Sequence, residues 1–188
     1  MSFEDFYSNF DDLEICHLGP EVFNEIAKMV RKSVFREATT WKSYLFDGKW
    51  NKKNRTAGGC ITDPTFANNP QYIVTLKSDR VESDGKCTVI FAVLQKYRRE
   101  LQIQGFKNHN IGFFVYKLKP GINGKQDASF FKHNRPVAQT KTFSSTREVT
   151  FRIRLPPGMY LVVPCTYKPN QEAEFLLRVF CTGGIKPP

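Results

Sequence analysis

Between Glu148 and Leu155 the chain alternates strictly, with Val149, Phe151, Ile153 and Leu155 on one side of an extended backbone and Thr150, Arg152 and Arg154 on the other. A side-chain period of two sorts apolar and polar residues onto opposite faces of a strand, so this segment reads as a strand with one face in a core and one in water. The same period dominates from Trp41 onward, and no helical periodicity is read after that point. Further strands are predicted at Tyr72 to Leu76, Thr88 to Gln95, Ile111 to Leu118, Met159 to Tyr167 and Phe175 to Phe180. The turn-rich stretches SDRVESDGK, KPGINGK, LPPG and KPNQE separate them. Short strands without intervening helices imply an all-β chain, an antiparallel β-sandwich with Greek-key connections. Leu, Ile, Val and Phe supply 51 of the 188 residues, enough apolar surface for one core and far from the composition of a disordered chain.

The first residues have a different period. Ser2 stands as an N-cap with Asp5 as its capping-box partner, and Phe3, Phe6, Tyr7 and Phe10 share a stripe, which predicts a short helix with an apolar face in need of a partner. A brief strand is predicted at Leu13 to Leu18. Gly19-Pro20 then opens a second helix, in which Val22, Phe23, Ile26, Met29 and Val30 recur at helical spacing. No apolar run reaches the length of a membrane-spanning helix, and neither a basic leader nor an apolar secretion segment opens the sequence. A cytoplasmic protein is the expectation. Five cysteines, Cys16, Cys60, Cys87, Cys165 and Cys181, fall in no CxxC pair, so no disulfide framework and no transition-metal site are expected.

Charge is unevenly distributed. Residues 1–27 hold seven acids and no base, whereas residues 28–188 hold 28 bases against 11 acids. The basic body is expected to attract an anionic surface, either acidic lipid or an acidic protein face. Nucleic acid is not expected, because no aromatic residue interleaves with the arginine pair and no recognition-helix motif is present. Lys96, Arg98 and Arg99, followed by Lys107 and extended by Arg152 and Arg154, form the candidate phosphate-binding or interdomain patch. Calcium requires six to eight oxygens, and the candidate donors are Asp79, Glu82 and Asp84, interleaved with Arg80 and Lys86. Cys60, in TAGGC, is the one tempting nucleophile. His17, His109 and His133 lie in no recognisable catalytic context beside it, and Gly58 and Gly59 fit a tight loop entering the sandwich.

The ordered set Ser2–Phe6, Phe10 and Leu13–Cys16, then Trp41, Gly48, Trp50 and Thr56–Cys60, then Asn69-Pro70-Gln71 and Leu94–Arg99, resembles the calpains, intracellular calcium-dependent cysteine proteases. Ile111–Phe113 with Val115 and Tyr116, Arg147–Val149 with Arg152, Leu155–Gly158 with Tyr160, Val163, Pro164 and Thr166, and Phe175–Phe180 extend the resemblance over nearly the whole chain. The resemblance implies a sandwich of eight antiparallel strands, similar to the calcium- and lipid-binding module of protein kinase C. Residues 1–38 would be the end of the protease core with a helical linker, and residues 39–188 the sandwich. It further implies a non-catalytic regulatory domain that partners the protease core and EF-hand domains and acidic phospholipid, with recruitment from the cytoplasm to membranes. The family's acidic loop maps onto Asp79, Glu82 and Asp84, with calcium as the implied ion, and its phospholipid-contacting stretch onto Lys96, Arg98 and Arg99. Ala67 stands where many relatives place a Trp. The papain-like Cys, His and Asn belong to segments that precede this one in the family, so no protease activity is expected of this chain alone. A stand-alone membrane- or protein-binding module and a hydrolase centred on Cys60 are the competing readings.

Overall fold

The computed structural model describes residues 2–10, 41–77 and 83–186. The chain divides into two compact units, Met1–Thr39 and Thr40–Pro188. The strand expected at 13–18 and the helix opening at 20 lie outside the described residues.

In the first unit, helix α1 (Phe3–Asn9) begins as the sequence dictates. Ser2 Oγ accepts from the Asp5 N–H at 3.1 Å, and Asp5 Oδ2 accepts from the Ser2 N–H at 3.2 Å, which closes a reciprocal capping box. Phe3 stacks on Tyr7 and Phe6 on Phe10, with centroids 6.1 and 5.0 Å apart.

The second unit is an antiparallel sandwich. One sheet is ordered β1 (Lys42–Trp50), β8 (Ala173–Cys181), β3 (Cys87–Gln95), β6 (Glu148–Leu155). The other is ordered β5 (Ala138–Gln139), β4 (Ile111–Leu118), β7 (Gly158–Thr166), β2 (Tyr72–Leu76), β9 (Ile185–Lys186). Nine strands thus form among the described residues, two of them only two residues long, where the resemblance implies eight. After β1 the chain crosses between sheets at nearly every step, and among consecutive strands only β4 and β5 pair with each other.

The sheets face each other across one core. Val89, Phe91 and Val93 of β3 and Phe175, Leu177 and Val179 of β8 meet Phe113 and Val115 of β4 and Val162 of β7, all fully buried. Trp50 lies between the layers, donates from Nε1 to the Pro164 carbonyl at 3.1 Å and packs on Phe175 at 4.3 Å. Gly48 opposes Phe175 in the register, and a Cβ there would meet the Phe175 ring at 2.1 Å and the Tyr72 hydroxyl at 2.3 Å. Only hydrogen fits that position.

Two helices qualify the all-strand expectation after Trp41: α2 (Arg98–Leu101) and α3 (Ala128–His133). Helix α3 lays Phe131 on the outer face of the five-stranded sheet, edge-on to Phe66 and Tyr116. A second apolar cluster results, with Phe114, Leu161 and Val163 at its base. Strands β4 and β7 are therefore buried on both faces over most of their length, which is why IGFFVYKL, but for the exposed Lys117, and MYLVVPCT run nearly continuously apolar while β6 alternates.

Candidate functional site

Strand register brings four connections to one end of the sandwich. Trp50 pairs with Ala173, Gln95 with Phe175, Leu94 with Glu148 and Ile111 with Thr166. Residues 51–56, 96–110, 144–147 and 167–172 therefore emerge together. Gln95 ties two of them from a fully buried position: its Nε2 donates to the His109 carbonyl at 2.9 Å and the Thr146 carbonyl at 3.0 Å, and its Oε1 accepts from the His109 N–H at 2.9 Å. The other two are joined by Lys52 N–H donating to Glu172 Oε1 at 2.8 Å and Asn170 N–H donating to the Ala57 carbonyl at 2.9 Å. Tyr167 N–H donates to the Asn110 carbonyl at 2.8 Å and so completes the linkage.

These four connections hold nine bases, Lys52, Lys53, Arg55, Lys96, Arg98, Arg99, Lys107, Arg147 and Lys168, against two acids, Glu100 and Glu172. The sequence cluster at 96–99 is thus one part of a larger basic end. The bases of 51–56 and Lys168 were not legible as members, since only the β1–β8 and β4–β7 pairings bring them there. Lys96 forms an ion pair with Asp47, and that hydrogen bond holds its ammonium above the usual lysine range. Its N–H also donates to the Glu174 carbonyl at 2.9 Å. Arg98 and Arg99 sit on the backbone of α2, and Lys107 follows the same excursion.

Arg152 and Arg154 do not join this group. They lie exposed on the outer face of β6, opposite Ile90 and Thr88, and Arg154 pairs with Asp84 at 2.8 Å. Eight residues of strand separate the Thr88 level from Lys96, about 26 Å at a strand's rise per residue.

Asp84 is the one calcium candidate within the described residues; Asp79 and Glu82 lie outside them. Its Oδ1 accepts from the Lys86 N–H at 3.0 Å as well as from the Arg154 guanidinium. Among the described residues no group of three or more His, Cys, Asp or Glu side chains gathers as metal ligands would. With its Oδ1 held by Arg154, Asp84 by itself does not supply the six to eight oxygens of a calcium site.

Cys60 is buried, and its Sγ lies 3.4 Å from Asp63 Oδ2 and 3.1 Å from Thr62 Oγ1. Neither described histidine is its partner: His109 Nε2 is within 3.0 Å of the Glu172 carbonyl, and His133 Nδ1 within 2.8 Å of the Ser129 carbonyl. The glycines before Cys60 serve a knot. Asn69, fully buried, accepts the Gly58 N–H at 3.0 Å and donates to the Gly59 carbonyl at 2.8 Å, while Gly59 holds φ +77° with its Cα 's open side against Asp63. Gln71 continues the motif: its Nε2 donates at 2.9 Å to both the Ala67 and the Gln126 carbonyls, and its Oε1 accepts the Gln126 N–H at 2.7 Å.

Residues 46–180 match the family model described as calpain large subunit, domain III. The chain is 46% identical over 197 residues to Calpain clp-4 of Caenorhabditis elegans, covering 99% of this chain and 27% of that protein. It is 48% identical to Calpain clp-1 of the same organism, over 99% of this chain and 24% of the relative. Against the human Calpain-2 catalytic subunit it is 37% identical, over 96% of this chain and 25% of the relative. It therefore spans about a quarter of the length of these curated relatives.

Proposed function

Because this chain belongs to the calpain family, as a large-subunit domain III, we propose that it is the non-catalytic regulatory sandwich of a calcium-dependent cysteine endopeptidase. In this reading it couples acidic phospholipid to a protease core by electrostatics, in the cytoplasm and at its membranes. Residues 1–38 are the end of that core, and the exposed Phe3 and Phe10 of α1 are the surface that meets it. EF-hand domains are the other partners. The chain alone cleaves no peptide bond, since Cys60 is packed against Asp63 and Thr62 and not against a histidine base. No step of this reading passes through calcium held by Asp84.

The observation that carries the reading is the excess of nine bases over two acids on four connections tied into one end. Near an anionic membrane each base contributes about 1 kcal/mol, within a Debye length of roughly 8 Å at physiological salt. Co-sedimentation with phosphatidylserine-containing vesicles tests it, comparing wild type with the triple variant Lys96→Glu, Arg98→Glu, Arg99→Glu. The expected result is binding that falls with salt, survives a calcium chelator and is lost by several kcal/mol in the variant. Binding by the variant equal to wild type would overturn the reading.

A further inference from the structure

Apolar side chains gather at the basic end as well. Of the seven large apolar residues that stand exposed among the described residues of the sandwich unit, four lie on its connections: Tyr97, Ile103, Phe106 and Tyr167. Ile103 is 93% exposed, the most of any large apolar side chain described. An isoleucine left so fully in water forgoes the burial that ordinarily stabilises it, and exposed apolar groups clustered on one surface mark an interaction site.

The excursion that carries three of them is a built knob. Leu101 N–H donates to the Tyr97 carbonyl at 3.1 Å, and Phe106 N–H donates back to the Leu101 carbonyl at 3.2 Å. Gly105 takes φ +81° to close the turn, and no atom lies within 4 Å of where its Cβ would be. The backbone is thus folded on itself while Ile103 projects from it. Tyr97, Leu101 and Phe106 also line a groove against Lys49 and Glu174, so the base of the knob rests on β1 and β8.

Bases neighbour these apolar residues in the sequence: Lys96, Arg98, Arg99 and Lys107 flank the knob, and Lys168 follows Tyr167 directly. A protein partner of ordinary composition would explain an apolar tip or a basic rim. An anionic bilayer explains both at once, because its headgroups take the bases and its acyl chains take the tip. We propose that this end of the sandwich docks on anionic phospholipid with Ile103 inserted below the headgroups. Tyr97, Phe106 and Tyr167 lie at the interfacial level, where aromatic rings partition. This deepens the lipid reading above and rests on it.

The test uses the full chain and vesicles of phosphatidylcholine mixed with phosphatidylserine, with and without brominated acyl chains. Ile103→Trp reports depth, with wild type, which carries Trp41 and Trp50, as background. The expected result is a blue-shifted emission on binding that brominated chains quench. Ile103→Ser, at so exposed a position, should melt as wild type does, and should bind at raised salt on the order of tenfold more weakly while keeping most of its low-salt binding. If wild type sediments but the Ile103→Trp emission neither shifts nor is quenched, insertion is wrong and adsorption by charge alone remains. The same holds if Ile103→Ser binds as wild type at raised salt, as expected were the tip meant for a protein. If wild type fails to sediment even at low salt, the lipid reading itself fails and this inference with it.

Discussion

The two ends of the sandwich are closed by the same strands yet carry different chemistry. At one end, 51–56, 96–110, 144–147 and 167–172 hold nine bases and two acids. At the other, the connections 77–86, 119–127, 156–157 and 182–184 hold five bases and four acids, and Arg154 of the outer face is spent on Asp84. Gln95 knits the basic end through three hydrogen bonds to His109 and Thr146, and Gln71, at the start of β2, makes three of its own to Ala67 and Gln126. The difference lies in the charge that the loops display. A scaffold of paired strands can thus be neutral at one pole and strongly cationic at the other with no change in its core.

The largest effect is expected from breaking the clamps. Gln95 is fully buried, so Gln95→Leu strands the His109 and Thr146 carbonyls and should lower stability by about 2–4 kcal/mol in denaturant unfolding. Gln71 is half-buried, and water can reach the groups it leaves, so Gln71→Leu should cost about 1–2 kcal/mol. Equal losses would show that the two glutamines are equally solvated, against the burial seen here.

Charge reversal comes next. Lys52→Glu with Lys53→Glu should weaken vesicle adsorption by roughly 2 kcal/mol or more, while Lys119→Glu at the opposite end should leave it within about 0.5 kcal/mol of wild type. Similar losses in both would mean that the whole surface, and not one pole, meets the lipid.

The fold was legible where packing leaves a simple pattern. β6 alternates because its outer face is wet, and β4 and β7 run apolar because α3 and Phe66 cover their second face. β1 is not among the strands predicted from the sequence, because Gly48 interrupts the apolar period at an inward position; the space of the missing side chain there is filled by the Phe175 ring from β8. Helix α3, at six residues, is too short to declare a helical period, and its Phe pair looks like any apolar fragment until Tyr116 and Phe66 are seen against it. The candidate site was half legible for the same reason. Lys96, Arg98 and Arg99 are neighbours in sequence, but Lys52, Lys53, Arg55 and Lys168 join them only through long-range pairings, Lys42–Trp50 with Ala173–Cys181 and Ile111–Leu118 with Gly158–Thr166. Arg152 and Arg154 were grouped with them on strand polarity alone, and the register of β6 against β3 sends them toward the other pole.

A smaller effect concerns alkaline pH near the basic end. The Tyr72 hydroxyl donates to the Asp47 carbonyl at 3.2 Å, and burial, with the Asp47 carboxylate adding to it, pushes its pKa up to about 12. A group whose pKa is raised on folding stabilises fully below its unfolded value near 10 and loses that contribution as pH rises through the folded value. Stability should therefore fall between about pH 10 and 12, and Tyr72→Phe should flatten that part of the curve in a pH series of thermal melts. An unchanged slope would mean the ring is as accessible to hydroxide as in the unfolded chain.

Hydrogen exchange of the full chain, with and without phosphatidylserine-containing vesicles, bears most directly on the claim that one pole is the docking surface. Slowed exchange is expected on vesicles at 51–56, 96–110 and 167–172, with 83–86 and 119–127 unchanged. Protection centred on 83–86 and 119–127, or spread evenly over both ends, would contradict it.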